Sequence, residues 1–133
     1  MTKGELSWLT AFEKLGKQME DIYTRIPTNL TPTAMASTAN KLRECSRQLG
    51  RMGSPSVRLQ PVYALVKKAC QAYDTGAQCF ATAARIGVPL VGSAADRKQR
   101  KAIDCGFAAS GKGGLPMADA MNKAEEIKRA AGG

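Results

Sequence analysis

Four cysteines, Cys45, Cys70, Cys79 and Cys105, constrain this chain of 133 residues more than any other feature. Two of them fall in one segment, Val62 to Ile86, where Val62, Leu65, Val66, Ala69, Ala72, Tyr73, Gly76, Phe80 and Ala83 recur at helical spacing. On a helix, Cys70 and Cys79 project from opposite flanks and stand about 13 Å apart along the axis. Disulfide Cα atoms lie within about 7 Å of each other. These two therefore cannot bond together, and each must face a different neighbour.

Antiparallel hairpins supply those neighbours. Cys45 and Cys70 are symmetric about the loop Ser54 to Pro61, and Cys79 and Cys105 are nearly symmetric about the break Val88 to Ser93. Of the three connectivities open to four cysteines, Cys45–Cys70 with Cys79–Cys105 keeps both hairpins in register. Pairing Cys45 with Cys79 and Cys70 with Cys105 would misalign both by several turns. Each bridge closes a loop worth about 3 kcal/mol in the chain-entropy account. The competing reading is four buried thiols that pack as small hydrophobes. A zinc site is disfavoured, because no C-x₂-C pair and no histidine is present. A C-x-x-C redox motif is equally absent.

The rest of the chain also reads as helix. Leu6, Leu9, Phe12, Leu15, Met19, Ile22 and Ile26 mark one face of a first helix, which Pro27 ends. Thr31-Pro32 is an N-cap followed by proline at the first helical position, and Met35, Ala39, Leu42, Cys45, Leu49 and Met52 form the next stripe, closed by Gly53. Ser93 to Asp96 resembles a capping box and opens a fourth helix to about Ala109, with Ala95, Ala102, Ile103, Gly106 and Phe107 inward. The run Gly111-Lys112-Gly113-Gly114 reads as a flexible turn. Pro116 then starts a short last helix carrying Met117, Met121, Ala124, Ile127 and Ala131. No stretch alternates with period two, and no run approaches the ~18 apolar residues of a membrane span. The expected fold is all-α: one domain over residues 1–133, an antiparallel bundle of four to five helices with two interhelical disulfides.

Composition excludes more than it names. Without histidine, neither a Ser-His-Asp nor a Cys-His site can exist. The eleven acids mostly sit beside basic residues on polar helix faces, as Glu125 and Glu126 do beside Lys128 and Arg129. Gly106 to Gly113 matches the glycine and lysine positions of a phosphate-binding loop, but Gly113 stands where the magnesium-binding Ser or Thr belongs. A helix rather than a strand precedes it, so a helix–helix turn is the better reading. The expectation is a non-enzymatic protein with no cofactor and no metal.

The net charge of +9 is spread thinly after the first helix, since residues 1–25 are neutral. It attracts anionic surfaces in general. Its densest patch is Arg97, Lys98, Arg100 and Lys101, candidate contacts to an anionic envelope polymer or to nucleic-acid phosphates. Trp8 lies beside the apolar stripe of the first helix rather than within it, which makes it a candidate interface anchor.

The segment Leu42 to Gly53, with Cys45-Ser46-Arg47-Gln48-Leu49, and the later Ala69-Cys70-Gln71-Ala72-Tyr73 resemble uncharacterised secreted or lipid-anchored helical-bundle proteins of actinobacteria. The resemblance covers the middle third of the chain. It implies an exported bundle and carries over no functional residue. The opening Met1-Thr2-Lys3-Gly4-Glu5 has no apolar signal core, so export supposes that Met1 stands in place of a removed leader. The expected function is an extracytoplasmic binding or structural module that acts through a protein partner or an anionic envelope surface. The alternative is a cytosolic or phage-encoded basic protein that associates with nucleic acid and keeps its thiols free.

Overall fold

The computed structural model describes residues 1–132; Gly133, the last residue of the expected domain, lies outside them. Five α-helices follow one another: α1 Lys3–Thr24, α2 Pro32–Met52, α3 Gln60–Ile86, α4 Ala94–Gly111 and α5 Gly114–Gly132. A single 3₁₀ turn, Val57–Leu59, leads into α3. Among the described residues there is no strand, and the all-α bundle with two interhelical disulfides is the observed fold.

Local chemistry sets the helix boundaries. The Thr31 hydroxyl accepts from the Ala34 N–H at 3.1 Å, with Pro32 in the first turn of α2. The Ser93 hydroxyl accepts from Asp96 N–H at 3.1 Å and opens α4. A further cap lies at the very start of the chain, in the segment Met1 to Glu5 that the sequence marks only by its lack of an apolar signal core. Thr2 and Glu5 form a reciprocal capping box: the Glu5 N–H donates to the Thr2 hydroxyl at 3.1 Å, and the Thr2 N–H donates to Glu5 Oε1 at 2.8 Å. Helix α5 begins at Gly114, so Pro116 falls inside its first turn, where a missing N–H leaves no bond unmade.

Helix α3 is the central rod. Its residues Val62, Val66, Ala69, Cys70, Tyr73, Gly76, Ala77, Phe80 and Ala83 are buried. On one flank α2 runs antiparallel to it and is joined through Cys45–Cys70, with Cα atoms 5.2 Å apart. On the other flank α4 runs antiparallel along the C-terminal half of α3, joined through Cys79–Cys105 with Cα atoms 5.8 Å apart. The two bridges differ in setting. Cys45 and Cys70 are buried in the core, whereas Cys79 is half-buried and Cys105 is exposed.

The expected flexible turn after α4 is only the pair Lys112 and Gly113. Gly113 passes so close to Tyr73 that a Cβ there would lie 2.7 Å from the ring. Beyond it, α5 continues toward the Val57–Leu59 turn, which it contacts. Helices α4 and α5 thus form one broken rod antiparallel to α3, and five helices make four rods. Helix α1 closes the bundle against α2 and α5, where Gln48 donates to Gln18 Oε1 at 2.7 Å and Lys128 pairs with Glu13.

Two expected inward faces are corrected. In α1, Leu6 is 47% exposed and Trp8 is buried. Trp8 stands about 40° from Phe12 around the helix axis and Leu6 about 120°, so the Phe12-centred face takes in the tryptophan and leaves the leucine out. In α4, only Gly106 and Ser110 are buried, Ala95 is exposed, and Phe107 is 37% exposed. This helix lies at the edge and packs chiefly on α3. Phe107 rests edge-on against Phe80, ring centroids 5.3 Å apart, instead of entering the core.

Candidate functional site

The joint between α3 and α4 is built from polar groups that hold its backbone and apolar side chains that point away. Gln99, on the inner side of α4, donates through Nε2 to the carbonyl of Ala83 at 3.1 Å and to that of Gly87 at 2.7 Å. Those carbonyls at the end of α3 would otherwise lack helical partners. Asp96 Oδ2 accepts from the Gly92 N–H at 2.9 Å, and Arg97 Nη1 donates to the Gly92 carbonyl at 2.7 Å. The Ser93 N–H bonds back to the Leu90 carbonyl at 3.1 Å, and Gly92 has φ +81°, the geometry a type II turn demands of its third residue.

With the backbone so tied, three of the four side chains between Gly87 and Gly92 stand in solvent, and only Pro89 is half-buried. Val88 is 87% exposed, Leu90 83% and Val91 89%. Isolated apolar residues on a surface need no explanation, and Val57 and Leu115 are such cases. Three within four residues, at the tip of a braced turn, are different: they form a concentrated apolar projection.

The predicted cationic residues begin immediately behind that tip. Arg97, Lys98, Arg100 and Lys101 are all exposed and span about 160° of the α4 circumference. They lie within about 10 Å of the start of α4 along its axis. Arg100 pairs with Asp96 at 3.4 Å, and Arg97 braces the turn, while Lys98 and Lys101 make no ion pair among the described residues. Both lysines border a shallow depression over the Cys79–Cys105 bridge. Arg85, exposed at the end of α3, adds a further cation at this end of the bundle.

The other sequence-derived candidates fall elsewhere. Trp8 is 7% exposed, stacked 6.0 Å from Phe12 and edge-on 6.2 Å from Tyr63. Its Nε1–H donates to the Gly53 carbonyl at 3.0 Å. It anchors the end of α2 to α1, and so it is not presented to a partner. All four cysteines are bonded, which removes the free thiols that the nucleic-acid reading supposed. No group of three or more metal-ligating side chains occurs among the described residues. The helix α4 runs through Gly106 to Gly111, so no loop is there to cradle a phosphate. Val88, Leu90 and Val91 are not among the expected site residues, because the sequence marks Val88 to Ser93 only as a break between helices. The available signal was four apolar residues in the six-residue stretch Gly87 to Gly92.

No protein-family model, no curated protein and no solved structure matches this chain. No helix of the described residues is long and apolar enough to cross a membrane. The two disulfides fit an oxidising, extracytoplasmic environment.

Proposed function

We propose that this protein is an exported, non-enzymatic binding module that docks on an anionic lipid surface through its α3–α4 tip. The observation that carries this reading is the projection of Val88, Leu90 and Val91, held outward by a braced turn and backed by cations. Interfacial anchors bury apolar side chains about 5–10 Å into the headgroup and acyl boundary. A tip of three branched aliphatic residues suits that depth, and lysines within about 10 Å of the start of α4 suit the phosphates above. The cysteine bridges support an extracytoplasmic setting.

Vesicle co-sedimentation tests it. The protein is expected to sediment with phosphatidylglycerol-containing vesicles and to stay in solution with pure phosphatidylcholine. Each lysine near an anionic surface contributes about 1 kcal/mol, so replacing both Lys98 and Lys101 by Gln weakens binding roughly thirtyfold. Leu90→Asp with Val91→Asp abolishes it, while the thermal melt is unchanged because neither side chain touches the core. Equal sedimentation with both vesicle types, or binding that survives the two aspartates, would overturn the reading. Retention on a DNA column that ignores Leu90 and Val91 but needs the α4 cations would favour nucleic acid instead.

A further inference from the structure

Away from the tip, where α1, α3, α4 and α5 meet, the bundle leaves a half-open cavity of about 440 Å³. That lies within the ~300–1,000 Å³ of small-molecule sites. Its apolar wall is made by Met117 and Met121 of α5, whose thioethers adapt to irregular shapes. Five polar side chains join them: Glu20 and Tyr23 from α1, Tyr73 from α3, Ser110 from the end of α4 and Asn122 from α5.

The polar groups are unusual in what they lack. Ser110 is 1% exposed, and its Oγ, the one buried side-chain polar atom among the described residues with no hydrogen-bond partner, lies against Gly76 in the α3–α4 contact. Native proteins rarely leave such an atom unmatched. Tyr73 is 3% exposed, and burial pushes its phenol pKa up, so it stays a neutral hydroxyl. Glu20 is exposed and makes no ion pair among the described residues, and no basic residue lines the cavity. On a chain of net charge +9, this is a local anionic spot with an apolar wall behind it.

We propose that the cavity binds a small organic amine. The apolar body rests against Met117 and Met121, and the ammonium group meets the Glu20 carboxylate beside the Tyr23 and Tyr73 hydroxyls. The cation supplies the charge that Glu20 lacks. The exposed Tyr23 and the buried Tyr73 both line the cavity, and aromatic rings attract an ammonium. This assignment is independent of the lipid-docking tip, which lies on other residues.

The test is a titration of the intact, isotope-labelled protein with benzylamine, benzyl alcohol and benzoate, followed by amide chemical shifts. Benzylamine is expected to bind saturably, with shifts clustered on Tyr73, Ser110 and Met117. Benzyl alcohol binds about tenfold more weakly, the usual effect of losing one charge-assisted hydrogen bond, and benzoate does not bind. Glu20→Gln lowers benzylamine affinity to that of the alcohol. Ala118→Trp, at the exposed rim, blocks both ligands while circular dichroism shows an unchanged fold. Three probes of equal affinity, no saturable binding, or a Glu20→Gln variant that binds benzylamine as before would each overturn the assignment.

Discussion

Glu5 is an acid that works as a structural joint. Besides capping α1, it accepts a hydrogen bond from the Ser56 hydroxyl at 2.6 Å and lies 3.8 Å from Arg58. The Ser56 bond, then the Thr2 N–H, hold its carboxyl below the ordinary value of 4.5. A depressed carboxylate stabilises the fold above its unfolded pKa and loses that contribution as pH falls through the folded one. Glu5→Gln is therefore expected to lower the melting temperature at about pH 7, with the gap to the parent closing below about pH 4. A gap of the same size at both pH values would show that charge plays no part. Gly76 shows the opposite case, in which a residue matters for what it omits. A Cβ there would collide with the Ser110 hydroxyl and lie 3.1 Å from the Gly106 carbonyl. Gly76→Ala gains about 1 kcal/mol of helix propensity but overpacks α3 against α4, which costs about 1–3 kcal/mol. Denaturant unfolding should find it less stable than the parent. Gly50→Ala, on a helix position with nothing within 4 Å, should be more stable.

At the scale of elements, the two bridges are equivalent in sequence and unequal in the fold. The Cys45–Cys70 bridge is sealed under α2 and α3, and the Cys79–Cys105 bridge sits at the surface beside Lys98 and Lys101. Limited reduction with a small thiol, followed by alkylation and peptide mapping, should label Cys79 and Cys105 first. Cys45 and Cys70 should follow only as the bundle opens. Simultaneous labelling of all four would mean that the outer bridge opens only with global unfolding. The pairing itself was legible in the chain because α3 is one continuous helix, which turns spacing into direction. The same rule placed Met35, Leu42 and Phe80 correctly. It misplaced Leu6 and Trp8, because a stripe traced from its apolar members alone drifts around the axis when a large aromatic lies one position aside. Periodicity is silent in loops, so the outward set of Val88, Leu90 and Val91 could not be read from it. The cavity was illegible for another reason: Glu20, Tyr73, Ser110 and Met117 come from four helices, and no local pattern couples them.

The whole molecule has two unlike ends. The α3–α4 tip, with its apolar projection and α4 cations, belongs to the end that also holds the start of α2. The capping box of α1, the Trp8–Gly53 bond and the Glu5–Ser56 joint brace the opposite end. A bundle stapled on both flanks of its central rod can present one end to a surface without loosening the other. Because charge steers the approach and apolar burial fixes depth, salt should weaken binding to anionic vesicles without abolishing it once the tip is inserted. The most direct measurement is fluorescence of a Val91→Trp variant with anionic vesicles whose lipids carry bromine at defined acyl depths. Trp8 is buried and supplies a constant background. The account expects quenching of the new tryptophan by the shallowest brominated positions, beyond any change seen in the parent protein. Binding that leaves the introduced indole unquenched would contradict it, because the tip would then face water.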